Sequence, residues 1–175
     1  ADELMKYILD NNNFLNTIIV SPPGCGKTTM LRDIVRQLSN GTESYKGQNI
    51  GLVDERSEIA AMYKGMPQND IGVRTDVMNN CAKYIGMNML IRSMAPQIIA
   101  TDEIGGKNDE DAINRAVCSG IKLLLTAHGE DINDISKDMI DKKTFSNIIV
   151  LSRRERPGKI KKIFKLVEDK YVAIS

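Results

Sequence analysis

The chain has 175 residues, of which 42% are hydrophobic and 27% are charged, a composition typical of one ordinary globular domain. The formal net charge of +1 at pH 7 argues against a protein that binds polyanions through its overall charge. The longest apolar runs, such as the one within Ile121–Ala127, are far shorter than the ~20 residues of a membrane-spanning helix.

Apolar segments alternate with amphipathic ones along the chain. This alternation predicts an α/β fold with a mainly parallel central sheet flanked by helices and a C-terminal antiparallel hairpin extension. The predicted strands are Thr17–Val20, Asn49–Asp54, Gln97–Thr101, Ile121–Thr126, Asn147–Ser152, Lys159–Leu166 and Tyr171–Ile174. The predicted helices are Lys27–Leu38, one or two turns at Glu58–Tyr63, Cys81–Met94, a helix capped by Asp109 that runs to Ser119, and Asp131–Ile140.

Three connecting segments complete this prediction. Asn40–Thr42 is expected to end the first long helix, Gly65–Asn80 to form a loop, and Arg156–Lys159 to form a hairpin turn. The chain begins with Ala1 rather than an initiator methionine. We therefore expect a fragment of a longer chain, in which residues 1–16 form an N-terminal helix or linker and residues 17–175 form the main domain.

A phosphate-binding loop is predicted between the first strand and the first long helix. The segment S-P-P-G-C-G-K-T-T nearly matches G-x-x-x-x-G-K-[ST], although Ser21 stands where the pattern begins with glycine. Glycines let backbone N–H groups turn toward phosphate at a helix N-terminus, Lys27 is expected to reach the β- and γ-phosphates, and the Thr28 hydroxyl to bind Mg²⁺. The nucleotide-binding residues are then Ser21, Pro22, Pro23, Gly24, Cys25, Gly26, Lys27, Thr28 and Thr29.

A second motif follows the strand Gln97–Thr101, which ends in Asp102 and Glu103. We expect Asp102 to hold Mg²⁺, directly or through water, and Glu103 to orient or deprotonate the attacking water. The same letters fit D-x-x-G of GTPases, but no N-K-x-D follows to read guanine. An extra strand between the two motifs and an acid directly after Asp102 favour ATP as the nucleotide.

Further candidates lie where other strands end. Thr126 and His128 follow the strand next to Asp102 and are candidates for sensing the γ-phosphate, with a hydrogen-bonded loop histidine as the alternative. Asp54 or Glu55 is expected to assist the water or Mg²⁺, or else to form a structural ion pair with Arg56.

Two arginines are candidates for neutralising charge on the transferred phosphoryl group. Arg74 lies in G-V-R-T-D-V and Arg92 in L-I-R-S-M. Such an arginine accelerates phosphoryl transfer by several powers of ten. The alternative is an ordinary arginine on a helix surface.

These motifs occur in an order that resembles the stage III sporulation protein AA family. The segments are V-D-E-R-S-E-I, R-T-D-V, L-I-R-S-M-A-P-Q, I-I-A-T-D-E-I-G and L-L-T-A-H-G, which follow the phosphate loop. That family is similar to the hexameric ATPases of type II and type IV secretion and of pilus retraction. The resemblance implies a P-loop NTPase with a RecA-like core, ATP and Mg²⁺ as ligands, and assembly into a homo-oligomer, a hexamer in the full-length protein.

The resemblance also implies roles for single residues. Lys27 and Thr28 fall in the phosphate loop, Glu55 with Asp54 in an acidic box, Glu103 at the catalytic acid, and Thr126 and His128 in a histidine box. Arg74 and Arg92 match the arginines between the boxes. Secretion ATPases often have glycine before the catalytic glutamate, so Asp102 departs from that pattern.

The cellular role implied by the resemblance is to power a membrane-embedded, secretion-like complex during endospore formation. The protein would then be cytoplasmic and peripheral to the cytoplasmic face of a bacterial membrane, on the mother-cell side of the forespore. No specific nucleic acid is expected as a partner. The resemblance also implies an N-terminal domain that this chain lacks, so residues 1–16 would be a helix or linker from that domain. A fragment without it is expected to hydrolyse ATP poorly, because neighbouring subunits or that domain close the site.

The C-terminal segment is strongly basic. Leu151–Lys165 has seven lysines and arginines and one acid, which suits an acidic partner, a subunit interface, an anionic membrane or a solvated hairpin. Arg153 or Arg154 is a candidate to reach a neighbour's nucleotide. Three alternative functions stay open: a nucleotide or metabolite kinase, a nucleic-acid translocase, and an ATP-gated assembly module without turnover.

Overall fold

The computed structural model describes residues 2–43, 45–135, 144–152 and 157–174. The helices are α1 (Asp2–Ile8), α2 (Lys27–Asn40), α3 (Lys83–Ser93) and α4 (Lys107–Cys118), with one 3₁₀ turn at Ile132–Asp134. The strands are β1 (Leu9–Asp10), β2 (Asn13–Phe14), β3 (Thr17–Ser21), β4 (Ile50–Asp54), β5 (Met62–Tyr63), β6 (Met66–Pro67), β7 (Thr75–Asn79), β8 (Ile98–Thr101), β9 (Lys122–His128), β10 (Asn147–Leu151), β11 (Ile160–Val167) and β12 (Lys170–Ala173).

The centre of the molecule is an eight-stranded sheet with the order β12-β11-β10-β3-β9-β8-β4-β7. All pairs from β10 to β7 are parallel, whereas β10–β11 and β11–β12 are antiparallel. The predicted architecture, a mainly parallel sheet with an antiparallel C-terminal extension, is confirmed. Strand β9 lies between β3, which leads into the predicted phosphate loop, and β8, which leads into Asp102.

The central strands are mostly apolar and are buried almost throughout, as expected where both faces of a sheet are covered. In β3, Ile19 packs in the cluster with α2, whereas Ile18 and Val20 pack in the cluster with α3 and α4. The amphipathic pattern of α2 buries its apolar stripe against the first face, and the helix ends at Gly41 (φ 74°), as the sequence predicts.

The N-terminal segment packs against the same face as α2 through residues between Leu4 and Phe14. Leu4 and Ile8 of α1 and Phe14 of the β1–β2 hairpin are almost completely buried. The core of the domain therefore includes this N-terminal segment as well as the residues from β3 onward.

Two predictions between β4 and α3 are wrong. The segment Glu58–Tyr63 is not helical: its N–H groups at residues 58–60 bind the Asp54 carboxylate, and Ala61 has a positive φ of 50°. The predicted loop Gly65–Asn80 contains β6 and the sheet strand β7, which pairs in parallel with β4. The sequence T-D-V-M-N gives only a weak alternation, and the pairing with β4 decides its structure.

The later helices also differ from the prediction in where they begin or in type, and α3 begins at Lys83 instead of Cys81. Helix α4 begins at Lys107 after Gly106, and the Asp109 side chain instead accepts a hydrogen bond from the N–H of Gly105 at 3.0 Å. In the predicted helix Asp131–Ile140, the described part is only the 3₁₀ turn Ile132–Asp134, and residues 136–140 lie outside the described residues.

The predicted hairpin turn is described at Pro157 and Gly158, where Gly158 has a φ of 82°. Arg153, Arg154 and Arg156 lie outside the described residues. Within the described ranges, every helix is too short or too polar to cross a bilayer.

Candidate functional site

The carboxyl ends of the central parallel strands bring most of the predicted site residues together. Ser21 pairs with His128 across β3 and β9, and Thr101, one residue before Asp102, pairs with Leu125. Because β9 separates β3 from β8, the loop after β9 lies between the predicted phosphate loop and Glu103. This edge of the sheet is the site that we describe below.

The predicted phosphate loop connects β3 to α2. Ser21 belongs to β3 and has an ordinary extended backbone, so serine is accommodated where the motif has glycine. Gly24 and Gly26 have φ of 75° and 84°, which favours glycine at both positions. No side chain of the described residues caps α2, and its first turn carries no acid, so its N–H groups suit an anion.

Lys27 is buried at the centre of this edge. Its ammonium donates to the carbonyl oxygens of Ser21 at 2.9 Å and Pro22 at 3.4 Å, and it contacts Nδ1 of His128 at 3.3 Å. Burial lowers the pKa of Lys27, and the negative charges of Glu103 and Asp102 oppose that shift. An anion would therefore stabilise the ammonium more than its present neutral partners do.

Three side chains hold Glu103: two contact its carboxylate and one accepts a hydrogen bond from its N–H. Its carboxylate contacts Nη1 of Arg56 at 3.2 Å and Nε2 of His128 at 3.1 Å. Its N–H donates to Oγ1 of Thr126 at 2.8 Å, and its φ of 44° is uncommon for a non-glycine residue. Thr126 is fully buried, so it fixes the backbone of Glu103 instead of facing the cleft as a phosphate sensor would.

Asp102 is almost completely buried beside Glu103. Burial raises the pKa of Asp102; the nearby charges of Glu103 and Asp54 add to that shift, and Lys83 opposes it. Because burial disfavours the charged form of this carboxylate, a bound cation would stabilise that form. Its oxygen, with the Thr28 hydroxyl in the first turn of α2, is a hard ligand of the kind that Mg²⁺ prefers.

Asp54 has a structural position. Its two carboxylate oxygens accept the N–H groups of residues 58, 59 and 60 at 2.9, 3.1 and 2.8 Å, and the residue is fully buried. These bonds occupy the carboxylate, so of the two acids Glu55 alone faces the cleft. The predicted pairing with Arg56 is also wrong, because Arg56 contacts Glu103 and Glu55 forms an ion pair with Lys83.

Arg74 and Arg92 lie away from this edge. Arg74 precedes β7 at the amino ends of the strands, where its Nη1 donates to the Ser39 carbonyl at 3.1 Å. Arg92 is exposed in the last turn of α3, which leads to the amino end of β8. Within the described residues, neither arginine contacts Lys27 or Glu103.

The sequence reasoning missed Lys83 at this edge, and it missed that Arg56 contacts Glu103. Lys83, together with Glu55 and Glu103, lines a cleft of about 330 Å³ that continues to Asp109. Lys83 is the first residue of α3 and is nearly buried, which no periodic pattern in the sequence indicates. A charged residue directly after an acidic strand end is the only signal for Arg56.

The C-terminal hairpin turn packs on the phosphate loop. The N–H of Gly158 donates to the carbonyl of Cys25 at 2.7 Å, and a Cβ on Gly26 would lie 2.9 Å from the Gly158 nitrogen. On the next strand, Lys161 Nζ donates to the Glu130 carbonyl at 3.2 Å, in the loop after His128. The hairpin therefore contacts both loops of the site.

Comparison with known proteins gives the family. The family model for sporulation stage III, protein AA, matches residues 1–170. The chain belongs to the stage III sporulation protein AA family. It is 40% identical over 169 residues to stage III sporulation protein AA of Bacillus subtilis (strain 168), a match that covers 94% of this chain and 55% of that protein. The chain therefore spans about half the length of this relative.

Solved structures of secretion and pilus ATPases share the fold. The VirB11 ATPase of the Brucella suis type IV secretion system superimposes with a TM-score of 0.62 and 11% identity, over 93% of this chain and 50% of that chain. The pilus retraction motor PilT with bound ADP gives a TM-score of 0.61 and 16% identity, over 86% of this chain and 45% of that chain. The predicted P-loop NTPase fold with a RecA-like core is confirmed.

Replacing Asp54 with alanine should destabilise the fold. Three buried N–H groups would lose their acceptor, so we expect the free energy of unfolding to fall by about 1–3 kcal/mol or more. Urea unfolding measures the loss. Asp76→Ala, which removes an exposed carboxylate from β7, is the control and should stay within ~0.5 kcal/mol of the parent. Unchanged stability in Asp54→Ala would contradict the structural role.

The raised pKa of Asp102 predicts a pH-dependent stability. The folded state binds the Asp102 proton more tightly than the unfolded state, so this group's stabilising effect is present in acid and is lost as pH rises through the folded pKa. Asp102→Asn should therefore stabilise the nucleotide-free protein at neutral pH, and its advantage should shrink as pH falls toward 4. Urea unfolding at several pH values, with Asp76→Asn as the control, measures this; an advantage that does not change with pH would contradict it.

Proposed function

We propose that the protein is a Mg²⁺-dependent ATPase. The observation that carries this proposal is that the Lys27 ammonium and the Glu103 carboxylate lie at one edge of the sheet, joined through His128. Asp102 is buried directly beside them and acts on the Lys27 charge. A phosphate ligand, a metal-binding acid and a base for water are the parts that ATP hydrolysis requires.

The phosphates of ATP would bind at the N-terminus of α2. Uncapped N–H groups, the open space at Gly24 and the Lys27 ammonium support this position. Thr28 and Asp102 would hold Mg²⁺, which when bound bridges the phosphates and neutralises their charge. The raised pKa of Asp102 supports this role, because a cation would restore the favourable charge on that carboxylate.

Glu103 would orient the attacking water and accept its proton. Its carboxylate is partly exposed beside the cleft, and the hydrogen bond from its N–H to Thr126 fixes its backbone. Glu55 lines the same cleft and would assist by holding Lys83 near Asp102. His128, between Lys27 and Glu103, would contact the terminal phosphate.

Arg74 and Arg92 would act on the nucleotide of an adjacent copy. Both lie at the amino edge of the sheet, so neither one reaches its own phosphate loop. An arginine supplied by a neighbour links turnover to assembly. This supports a homo-oligomer, which we propose to be a hexamer in the whole protein.

We place this ATPase in sporulation as a motor. Membership of the stage III sporulation protein AA family supports the process, and the shared fold with secretion and pilus-retraction ATPases supports work on a membrane-embedded, secretion-like complex. The motor would act at the cytoplasmic face of the membrane, on the mother-cell side of the forespore. No specific nucleic acid takes part in this proposal.

Glu103→Gln should keep nucleotide binding and lose turnover. The amide retains the size of the side chain but cannot accept the proton, so phosphate release should fall about 10²- to 10⁴-fold while ATP affinity changes little. Isothermal calorimetry and a phosphate-release assay measure the two quantities. Glu168→Gln, in the exposed β11–β12 turn, is the control. Equal turnover in Glu103→Gln and the parent would remove Glu103 from this role.

A mixing experiment tests the role of the two arginines. Arg74→Ala and Arg92→Ala should each lower turnover in the oligomer, whereas mixing either one with Glu103→Gln should restore activity, because some sites then combine an intact Glu103 with an intact arginine from the neighbour. Sedimentation with a non-hydrolysable ATP analogue checks the assembly. A protein that stays monomeric and transfers phosphate to a small acceptor would indicate a kinase instead.

A further inference from the structure

Four side chains form a continuous line across the carboxyl edge of the sheet. Arg56 Nη1 contacts Glu103 Oε2 at 3.2 Å, Glu103 Oε1 contacts His128 Nε2 at 3.1 Å, and His128 Nδ1 contacts Lys27 Nζ at 3.3 Å. They lie at the carboxyl ends of four different strands: His128 is the last residue of β9, whereas Arg56, Glu103 and Lys27 come after β4, β8 and β3. The line therefore connects the phosphate loop to the loop after β4.

The contacts define which nitrogen of His128 carries hydrogen. The Lys27 ammonium has hydrogens to donate and no lone pair, so Nδ1 of His128 must accept in that contact. Nε2 then carries the hydrogen and donates to the Glu103 carboxylate. In the nucleotide-free chain, His128 is thus an Nε2–H tautomer with a partner on each side.

Phosphate capture by Lys27 must break one of its present contacts. An ammonium has three hydrogens, and these are directed at Ser21 O, Pro22 O and His128 Nδ1. The two carbonyls belong to the loop that positions Lys27 itself. The imidazole is half-exposed and can move without disturbing the backbone, so it is the partner that gives way.

We propose that Lys27, His128, Glu103 and Arg56 form a relay that reports phosphate binding to the catalytic carboxylate. When Lys27 turns to phosphate, His128 loses its donor at Nδ1 and leaves Glu103. Arg56 alone then orients the Glu103 carboxylate toward water. This proposal rests on the proposed ATPase function and adds Arg56 as a positioning residue.

The surroundings of Arg56 suit this role. Its side chain is 61% exposed, so it follows the carboxylate without repacking the core. Its backbone lies in the loop whose N–H groups are held by the buried Asp54 carboxylate. In this proposal, an exposed guanidinium on a loop held by Asp54 keeps its contact with Glu103 after His128 leaves.

Nitrogen-15 NMR of the His128 imidazole tests the relay directly. The signal is assigned by its absence in His128→Asn. Without nucleotide, we expect the Nε2–H pattern. Addition of Mg²⁺ and AMP-PNP, a non-hydrolysable ATP analogue, should shift both ring nitrogens. Lys27→Met should shift the Nδ1 signal without any nucleotide, whereas Arg36→Gln, which removes a surface ion pair with Asp33 on α2, should leave it unchanged.

Kinetics of Arg56 variants test the positioning role. Arg56→Gln should lower kcat about 10- to 100-fold because Glu103 loses its orientation, with KM and AMP-PNP affinity unchanged. Arg56→Lys, which keeps the charge and a donor, should recover part of the loss. Unchanged kcat in Arg56→Gln, or a loss that appears only as weaker nucleotide binding, would overturn this role.

The outcomes separate the relay from the proposed function. An Nδ1–H or doubly protonated His128 in the nucleotide-free protein overturns the relay. AMP-PNP that binds without changing the imidazole spectrum overturns it as well and leaves the ATPase proposal standing. Failure of AMP-PNP to bind overturns the ATPase proposal, whereas binding without turnover in the assembled protein overturns hydrolysis alone.

Discussion

The organisation of this molecule depends on the cost of burying charge at one edge of its sheet. Lys27 and Asp102 are both nearly buried there. Burial lowers the pKa of Lys27 and raises the pKa of Asp102, because it disfavours the charged form of each side chain. Neighbouring charges and carbonyl oxygens partly offset this cost. A ligand that brought negative phosphate to the lysine and a cation to the aspartate, as in the proposed function, would stabilise this arrangement further.

Much of the fold follows from local patterns in the sequence. The apolar strands are uniformly buried, Gly41 ends α2 with a positive φ, and S-P-P-G-C-G-K-T-T forms a strand–turn–helix as the motif requires. The pattern fails where structure depends on particular partners and not on local propensity. Strand β7 is defined by pairing with β4, and residues 58–60 are fixed by a carboxylate that precedes them, so propensity alone points to a loop and a helix.

The candidate site is likewise predictable from the sequence only in part. Strand ends and motif spacing predict that Lys27, Asp102, Glu103 and His128 meet, because parallel strands place their carboxyl ends at one edge. The sequence does not reveal which side chains contact each other there. The position of Asp54 alone suggests catalysis, yet its carboxylate oxygens accept hydrogen bonds from backbone N–H groups. Arg56 contacts Glu103 instead of its acidic neighbours in the chain.

The close packing of Gly158 against Cys25 and Gly26 has a consequence for how this chain tolerates change. A methyl group at position 26 would collide with the nitrogen of a residue more than 130 positions later. Lengthening or shortening the hairpin would in turn disturb the carbonyl at position 25. The phosphate loop and the hairpin turn therefore constrain each other's sequence and length. A hybrid that exchanges only one of them between relatives should lose its native geometry at both.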